Sequence, residues 1–398
     1  SMPLIINKIN AIYDDTKQDI ATADLTTGFS YTVTDTVFTE TKIDILNTGA
    51  SDIELKNEIY NPMARTIIRN TGTGGDILSK SAAAKIRTRD LQLVSEKGSI
   101  GTSTDRIKAE LIQHQANPAV LNATASGNIY LDLTARQRST NPFKVEAGTL
   151  KAGGSVDLLL QTGTKESSKG VAGDKQASTF DFTTLQSGAA GNIIINSGDY
   201  TETTALVHVT GSIELPATVG ALDVDVNGNI DFTEKTGAIL VNEARSRKGT
   251  VTLTTPETSA ISENIVIPSG KSVKADSKYV TLRAGDDVTI NGSFAAKEAS
   301  AIYIDYNNAD AAVNSVANFN YLDGIAADIT VYGMGTTDTV NFDDTFDSDS
   351  EIGDLKNTFL TGPGVTLTTL TGLGMDADAS ISIDRFSLIA RGANNSAT

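Results

Sequence analysis

Apolar and polar residues alternate in short runs along most of this chain, and many runs follow a glycine and one further residue. This phrase occurs at Gly75-Asp76-Ile77, Gly98-Ser99-Ile100, Gly127-Asn128-Ile129, Gly154-Ser155-Val156, Gly191-Asn192-Ile193, Gly211-Ser212-Ile213, Gly228-Asn229-Ile230 and Gly249-Thr250-Val251. Its spacing is mostly about 20–30 residues, as in solenoid proteins. A turn with one half-buried strand cannot bury its apolar face alone, whereas a stack of such units can. The pattern therefore predicts a rod built by repetition.

The segment from Leu222 to Phe232 shows the alternation most clearly. One parity carries Leu222, Val224, Val226, Ile230 and Phe232, and the other carries Asp223, Asp225, Asn227, Asn229 and Asp231. A strand places alternate side chains on opposite faces, whereas a helix would scatter these residues around its surface. The first set is therefore predicted to point inward and the second outward.

The repeats define three regions. We predict an N-terminal cap or partial repeat over residues 1–28, β-solenoid repeats over 29–342, and an acidic loop with C-terminal strands over 343–398 that continue the solenoid. Residues 7–24 are compatible with a helix, an irregular cap or an incomplete first repeat. Residues 161–178 are polar and rich in turn formers, so we expect them to form a loop on the outside of the stack.

Composition narrows the classes of partner. The 398 residues have a formal net charge of -17 and contain no cysteine. A polyanion repels nucleic acid and anionic membranes, and a chain without cysteine has no disulfide framework and no thiolate metal site. We therefore expect no nucleic-acid partner. Because no apolar run approaches the ~20 residues of a membrane span, we also expect no membrane insertion.

Several phrases resemble filamentous-haemagglutinin-like repeats, which belong to giant secreted bacterial adhesins. They are Gly74-Gly75-Asp76-Ile77, Leu91-Gln92-Leu93-Val94-Ser95, Gly98-Ser99-Ile100-Gly101-Thr102, Gly127-Asn128-Ile129-Tyr130-Leu131, the stretch 279–292, Val340-Asn341-Phe342-Asp343-Asp344 and the stretch 370–375. The resemblance covers most of residues 67–375. It implies an all-β fold, a right-handed parallel β-helix with loop insertions, and export to the cell surface or the extracellular matrix. It also implies flanking repeats in a longer parent chain.

Two acidic segments are candidate cation sites. Residues 223–234 fit the spacing of a calcium-binding loop, with oxygen ligands at Asp223, Asp225, Asn227, Asp231 and Glu234. That loop requires a helix on each side, whereas the alternation predicts a strand. Three interpretations stay open: a helix–loop–helix calcium site, a cation held by outward carboxylates of stacked coils, and a solvated acidic face.

The second acidic segment contains Asp343, Asp344, Asp347 and Asp349. It lacks the glycine spacing of calcium-binding β-rolls. It is either a loop ordered by a metal or a mobile acidic loop. No cofactor is expected to be required, and calcium is the one ion that these segments suggest.

Catalytic signatures are sparse. The chain has two histidines, His114 and His208, and no nucleophile motif or phosphate loop. Carboxylates near cations, such as Asp157 with Lys151 or Asp231 with Arg245, resemble the acid–base groups of polysaccharide-cleaving β-helix enzymes. Tryptophan is absent, so a sugar platform would have to use Tyr130, Tyr303, Tyr306 or Tyr332.

The sequence therefore predicts a non-catalytic structural or adhesive segment of a giant secreted or cell-surface bacterial protein. It would act as a stalk or contact surface in adhesion or in a biofilm matrix. Its partner would be a surface ligand: a host cell, a matrix polysaccharide or another cell. The alternatives are a β-helix polysaccharide lyase or hydrolase and a surface-layer structural module.

Overall fold

The computed structural model describes residues 42–113, 118–137, 143–166, 172–216, 220–235, 237–257, 263–306, 315–320, 325–327, 329–333 and 338–343, together with short strands within 4–19 and 359–390. In these residues every regular element is a β-strand. No described segment forms a helix with the length and apolar content needed to cross a membrane. The predicted all-β fold is confirmed, and its strands stack in parallel as a β-solenoid.

The chain divides into two compact units, residues 1–211 and residues 212–398. The strands of the first unit are β1 (Leu4–Ile6), β2 (Ile9–Asn10), β3 (Ile12–Asp14), β4 (Lys17–Asp19), β5 (Lys42–Asn47), β6 (Ile53–Leu55), β7 (Glu58–Asn70), β8 (Ile77–Ser79), β9 (Lys85–Ser95), β10 (Ile107–Gln113), β11 (Ala119–Ala125), β12 (Ile129–Gln137), β13 (Phe143–Ala152), β14 (Val156–Glu166), β15 (Ala172–Gln176), β16 (Ser178–Gln186) and β17 (Ile193–Ser197). The boundary falls within β18 (Val207–Glu214).

The strands of the second unit are β19 (Leu222–Val226), β20 (Ile230–Glu234), β21 (Ile239–Ser246), β22 (Val251–Thr255), β23 (Ile265–Ile267), β24 (Ser272–Ala275), β25 (Val280–Ala284), β26 (Val288–Ile290), β27 (Ser293–Ala296), β28 (Ser300–Ile304), β29 (Val316–Phe319), β30 (Ile325–Ala326), β31 (Ile329–Gly333), β32 (Asp338–Asp343), β33 (Phe359–Thr361), β34 (Val365–Thr366), β35 (Leu370–Thr371) and β36 (Phe386–Ala390).

Parallel pairing stacks the predicted phrases of the first unit directly on one another. The apolar residue of each phrase pairs with its equivalent in the next turn, in the order Ile77, Ile100, Ile129, Val156 and Ile193. All five are fully buried. Burial of such side chains contributes about 1.5–3 kcal/mol each, so the column supplies a continuous core that no single turn possesses.

The residue between the glycine and the apolar position forms a polar ladder along the same column. A side-chain oxygen of each residue accepts a hydrogen bond from the backbone N–H of its equivalent in the next turn. The N–H groups of Asp76, Ser99, Asn128, Ser155 and Asn192 donate at 2.9, 2.6, 3.0, 2.7 and 3.0 Å to the side chains of Asp52, Asp76, Ser99, Asn128 and Ser155. The middle residue is thus Asp, Ser or Asn because the ladder needs a short side chain with an acceptor oxygen.

The same ladder explains the glycine. A Cβ atom on Gly98 would overlap the Asp76 carboxylate, and one on Gly154 would overlap the Asn128 side-chain oxygen. On Gly191 it would overlap the carbonyl oxygen of Gly154. The phrase therefore combines an apolar core residue, an acceptor for the next turn, and a gap that admits the acceptor of the previous turn.

We expect Asn128→Ala to lower the free energy of unfolding by about 1–2 kcal/mol, because the Ser155 N–H would lose its side-chain acceptor. Asn128→Asp keeps an oxygen at the same place, as Asp76 does in its own turn, and should recover most of the loss. Urea unfolding of the three proteins measures this. Equal loss in both variants would show that the ladder bond does not matter.

The second unit repeats the arrangement. Ile230 pairs with Val251 and Val251 with Val280. Leu282 pairs with Ile302, and Ile302 with Val331. These six residues are fully buried. The Thr250 N–H donates to the Asn229 side-chain oxygen at 3.1 Å, as the equivalent groups do in the polar ladder of the first unit.

Two segments differ from simple expectations. Residues 161–178 were predicted as a loop, but their described parts, 161–166 and 172–178, are mostly strand, and the end of β14 pairs antiparallel with β15. Near the N-terminus, the described residues are strands rather than a helix, and β1 and β2 pair in parallel with β6 and β7. The predicted boundaries at residues 28 and 342 stay predictions.

Candidate functional site

The calcium-like segment 223–234 forms a strand, a turn and a strand rather than a loop between helices. Asp223 and Asp225 lie on β19, whereas Asp231 and Glu234 lie on β20. The predicted inward residues, from Leu222 to Phe232, are all fully buried. Asn227 was predicted to point outward with the aspartates but is also fully buried, because the turn at Asn227 and Gly228 interrupts the alternation between the two strands.

The five predicted ligands have different environments. Asp225 pairs with Arg247, whose guanidinium donates to both carboxylate oxygens at 3.0 and 2.6 Å. Glu234 is buried and accepts the backbone N–H groups of Leu215 and Lys235, both at 3.0 Å. Asp231 is exposed on the outer face. Among the described residues, these carboxylates do not form a group of three within 4.8 Å, and whether calcium binds here stays a prediction.

Two like charges meet in register at one place on this face. Asp223 of β19 pairs with Glu243 of β21, one turn later. Burial raises the pKa of the Glu243 carboxyl, and the charges of Asp225 and Asp223 raise this pKa further against the opposing effect of Arg245 and Arg247. The ionised form of Glu243 is therefore disfavoured in the folded chain.

This shift has a defined pH dependence. Because the pKa of Glu243 is raised on folding, its favourable effect is complete below the unfolded value near 4.5 and is lost as pH rises through the folded pKa. We expect Glu243→Gln to raise the melting temperature at pH 7 and to change it little at pH 4. Scanning calorimetry at both pH values measures this. An equal gain at both pH values would contradict the electrostatic origin.

The second acidic segment lies largely outside the described residues. Asp343 ends β32, where its backbone pairs with Thr371 of β35. Asp344, Asp347 and Asp349 lie outside the described part of the chain. The choice between a metal-ordered loop and a mobile loop stays open.

One acidic cluster was not predicted from sequence. Carboxylate oxygens of Glu257, Glu263 and Asp286 lie within 4.8 Å of one another. Asp286 accepts the backbone N–H of Glu263 at 2.7 Å, and a Cβ on Gly285 would collide with the backbone of Glu257. Stacking brings Asp286 to the two glutamates from 23 residues after Glu263, so no local spacing could have revealed the complete cluster. Their oxygen atoms are the donor type that calcium prefers.

The outer face of the first unit carries a connected set of ion pairs. Glu110 lies 3.2 Å from Lys85, 2.6 Å from Arg87 and 2.8 Å from Arg136. Arg87 also contacts Glu58 at 3.0 Å. These charges lie on strands of successive turns, so the ion pairs link each turn to the next one in the stack.

The two acid–base pairs suggested by sequence are not the pairs that form. Asp157 binds Arg106 at 2.9 Å, although 51 residues separate them in the chain. Arg245 binds Asp276 at 2.8 Å. Asp157 and Arg245 are therefore each engaged in an ion pair between turns, with a partner other than the one suggested from sequence.

Charge is unevenly divided between the two units. Residues 1–211 contain 23 acidic and 20 basic side chains, a net charge of -3, whereas residues 212–398 contain 26 and 12, a net charge of -14. The second unit therefore accounts for most of the negative potential of the chain, and that potential attracts cations and repels polyanions.

The predicted tyrosines fall into two groups. In the first unit Tyr130 lies beneath the Arg106 guanidinium at 6.0 Å. In the second unit Tyr303 and Tyr332 pair in register, and their rings stack with centroids 4.6 Å apart and planes at 10°. Tyr306 lies 6.0 Å from Tyr303 at 66°.

Arg283 extends this second group. It pairs in register with Tyr303, and its guanidinium carbon lies 5.9 and 5.6 Å from the ring centroids of Tyr303 and Tyr306. All four side chains are partly exposed. Together they form an outward surface of aromatic and cationic groups on β25, β28, β31 and the turn that follows β28, hereafter the Arg283 surface.

Comparison with known proteins gives no relative: no family model, no curated protein and no solved structure matches this chain.

Proposed function

We propose that this chain is a non-catalytic structural and adhesive segment of a giant secreted or cell-surface bacterial protein, serving as a stalk or contact surface in adhesion or in a biofilm matrix. The proposal places it at the cell surface or outside the cell, next to further repeats of the same parent protein. The observation that supports the proposal most directly is that charged side chains on the outer face form ion pairs between turns. In both units they join one turn to the next, as in Glu110 with its three cations and Asp225 with Arg247.

A solenoid of this kind supports a contact role for a physical reason. Each turn contacts mainly its neighbours, so stability grows with the number of turns and the outer residues remain free to vary. The polar ladder and glycine gap repeat this interface at each phrase of the first unit. A long parallel stack therefore offers a large outer surface without a separate globular core.

The enzyme alternative makes a different demand on the same fold. A lyase or hydrolase needs a carboxylate and a cation or second carboxylate facing one cleft. The groups considered for this, Asp157 and Arg245, are held by Arg106 and Asp276. Both pairs are ion pairs between turns, so Asp157 and Arg245 have a structural role that fits the proposed contact function.

Surface display tests the two functions together. Bacteria that do not aggregate would display the chain through an unrelated anchor, with an unrelated β-solenoid as control. We expect increased attachment between cells or to a matrix-coated surface, and no release of reducing ends or unsaturated products from polygalacturonate or alginate. Product release that follows the amount of chain would support the enzyme instead, and attachment equal to the control would contradict the adhesive role.

Calcium would act on the acidic second unit. Outward residues of successive turns lie about 4.8 Å apart, so unpaired carboxylates repel and a shared cation would relieve the repulsion. We expect millimolar calcium to stabilise the chain by about 1–3 kcal/mol through weak sites, and magnesium to do less because it resists dehydration. Melting curves in calcium, magnesium and sodium chloride of equal ionic strength measure this. Coincident curves would remove calcium from the proposal.

A further inference from the structure

We propose that the Arg283 surface binds a neutral polysaccharide, with Arg283 donating hydrogen bonds to sugar hydroxyls and Tyr306 contacting a sugar ring. This inference rests on the proposed contact role and names the chemical class of its partner. It starts from an arginine whose surroundings differ from those of the other arginines described in its unit.

Arg245 and Arg247 both form ion pairs, with Asp276 at 2.8 Å and Asp225 at 2.6 Å. Arg283 lies in the same acidic unit, yet its guanidinium contacts the rings of Tyr303 and Tyr306 instead. Within the part of the chain that the structure describes, no protein acceptor hydrogen-bonds its side chain. An arginine carries five N–H donors in a planar fork, so Arg283 presents a set of donors to an external acceptor.

The tyrosines hold that fork in a fixed orientation. Tyr303 lies between Tyr332 and Arg283 in the register of β25, β28 and β31. Its ring therefore contacts these two side chains and is not available to stack on a ligand. Tyr306 lies beside this column and is partly exposed. Arginine stacked on aromatic rings is preorganised and loses less side-chain freedom on binding. Tyr303 and Tyr332 therefore support the surface, and Tyr306 supplies aromatic area at its edge.

The polar side chains around the Arg283 surface suit a ligand that carries hydroxyl groups better than one that carries negative charges. Asp231 is a further acceptor on the same sheet, with a side chain that reaches the surface. Packing around its carboxyl group raises its pKa, and the nearby Arg283 charge partly opposes this shift. The adjacent column on β22, β25, β28 and β31 carries partly exposed Thr252 and Thr330, with Ala301 and the buried Thr281 between them. The set combines donors, an acceptor and hydroxyls, which complements a polyol. A net charge of -14 in this unit repels a polyanion.

Affinity electrophoresis of the full chain in native gels tests the proposal, with hydroxyethyl cellulose and galactomannan as neutral probes and polygalacturonate as the anionic probe. We expect retardation by at least one neutral probe and a loss of at least about tenfold in affinity for Arg283→Gln and for Tyr306→Ala. The matched control is Tyr279→Ala, because Tyr279 is also an exposed tyrosine of the second unit, at 41%. It should bind like the parent, and circular dichroism melts verify that each variant is folded.

Each other outcome contradicts the proposal. Retardation by polygalacturonate alone would assign an anionic partner, and neutral binding unaffected in both variants would place the site elsewhere. No retardation by any probe would remove polysaccharide binding. In that case, increased attachment in the display experiment would still support the contact role, so the two proposals fail separately.

Discussion

Replacing Val226 by aspartate is expected to destabilise the second unit by at least about 4 kcal/mol or to unfold it, the largest effect of any single change considered. Val226 is fully buried on β19, in the same apolar layer as Val224 and Ile230. A carboxylate there would be buried without a partner, a condition that ranks among the few causes of large single-residue effects.

The matched control is Asn229→Asp, which introduces the same side chain at an exposed position three residues later. The new carboxylate keeps an oxygen that can accept the Thr250 N–H, as Asn229 does at 3.1 Å. We expect a change of about 0.5 kcal/mol or less. Urea unfolding followed by circular dichroism compares the variants, and similar midpoints would show that the inward and outward faces are assigned wrongly.

Replacing Gly191 by alanine is expected to cost about 2–3 kcal/mol, the second largest effect. The added methyl group would overlap the backbone carbonyl of Gly154 in the previous turn. Backbone atoms cannot move aside as the end of a flexible side chain can, so the turns must separate or shift register. The Ser155–Asn192 hydrogen bond of the polar ladder, 3.0 Å long, would weaken with them.

Gly237→Ala serves as the comparison, since no atom lies within 4 Å of a Cβ at Gly237. Removing a glycine at an open position restricts the unfolded chain, so we expect no loss or a gain of up to about 1 kcal/mol. Thermal unfolding of both variants gives the difference. A similar cost at both positions would mean that glycine is required for backbone freedom rather than for the close approach of turns.

The sequence predicted the features that depend on neighbouring residues. The alternation from Leu222 to Phe232 placed the core residues correctly, because strand parity is a local property. It failed at Asn227, where the turn between β19 and β20 interrupts the alternation and buries a polar residue, while the inward parity stays the same on both strands. The phrase spacing also predicted which apolar residues stack, such as Ile129 on Ile100.

The partners of the charged side chains could not be predicted from the local sequence pattern. Arg106 and Asp157 are 51 residues apart, and Glu257 and Asp286 meet across one turn. The lengths of the intervening turns differ, for example 19 residues between Leu222 and Val241 and 37 between Val156 and Ile193. Register over such distances depends on every insertion, so these contacts follow from the assembled stack and not from a motif.

The hydrogen bonds of the polar ladder in the first unit all point the same way along the chain. At each step an earlier side chain accepts and a later backbone N–H donates, from Asp52 and Asp76 through to Ser155 and Asn192. Each turn therefore offers a side-chain acceptor to the turn that follows it, whereas the turn before donates to the backbone carbonyl of the same residue, as Ile77 does to Ser99 at 3.0 Å. The side-chain hydrogen bonds thus give the stack a polarity, so that loss of one acceptor weakens the junction with the turn that follows it in the chain and leaves the backbone bond to the turn before in place.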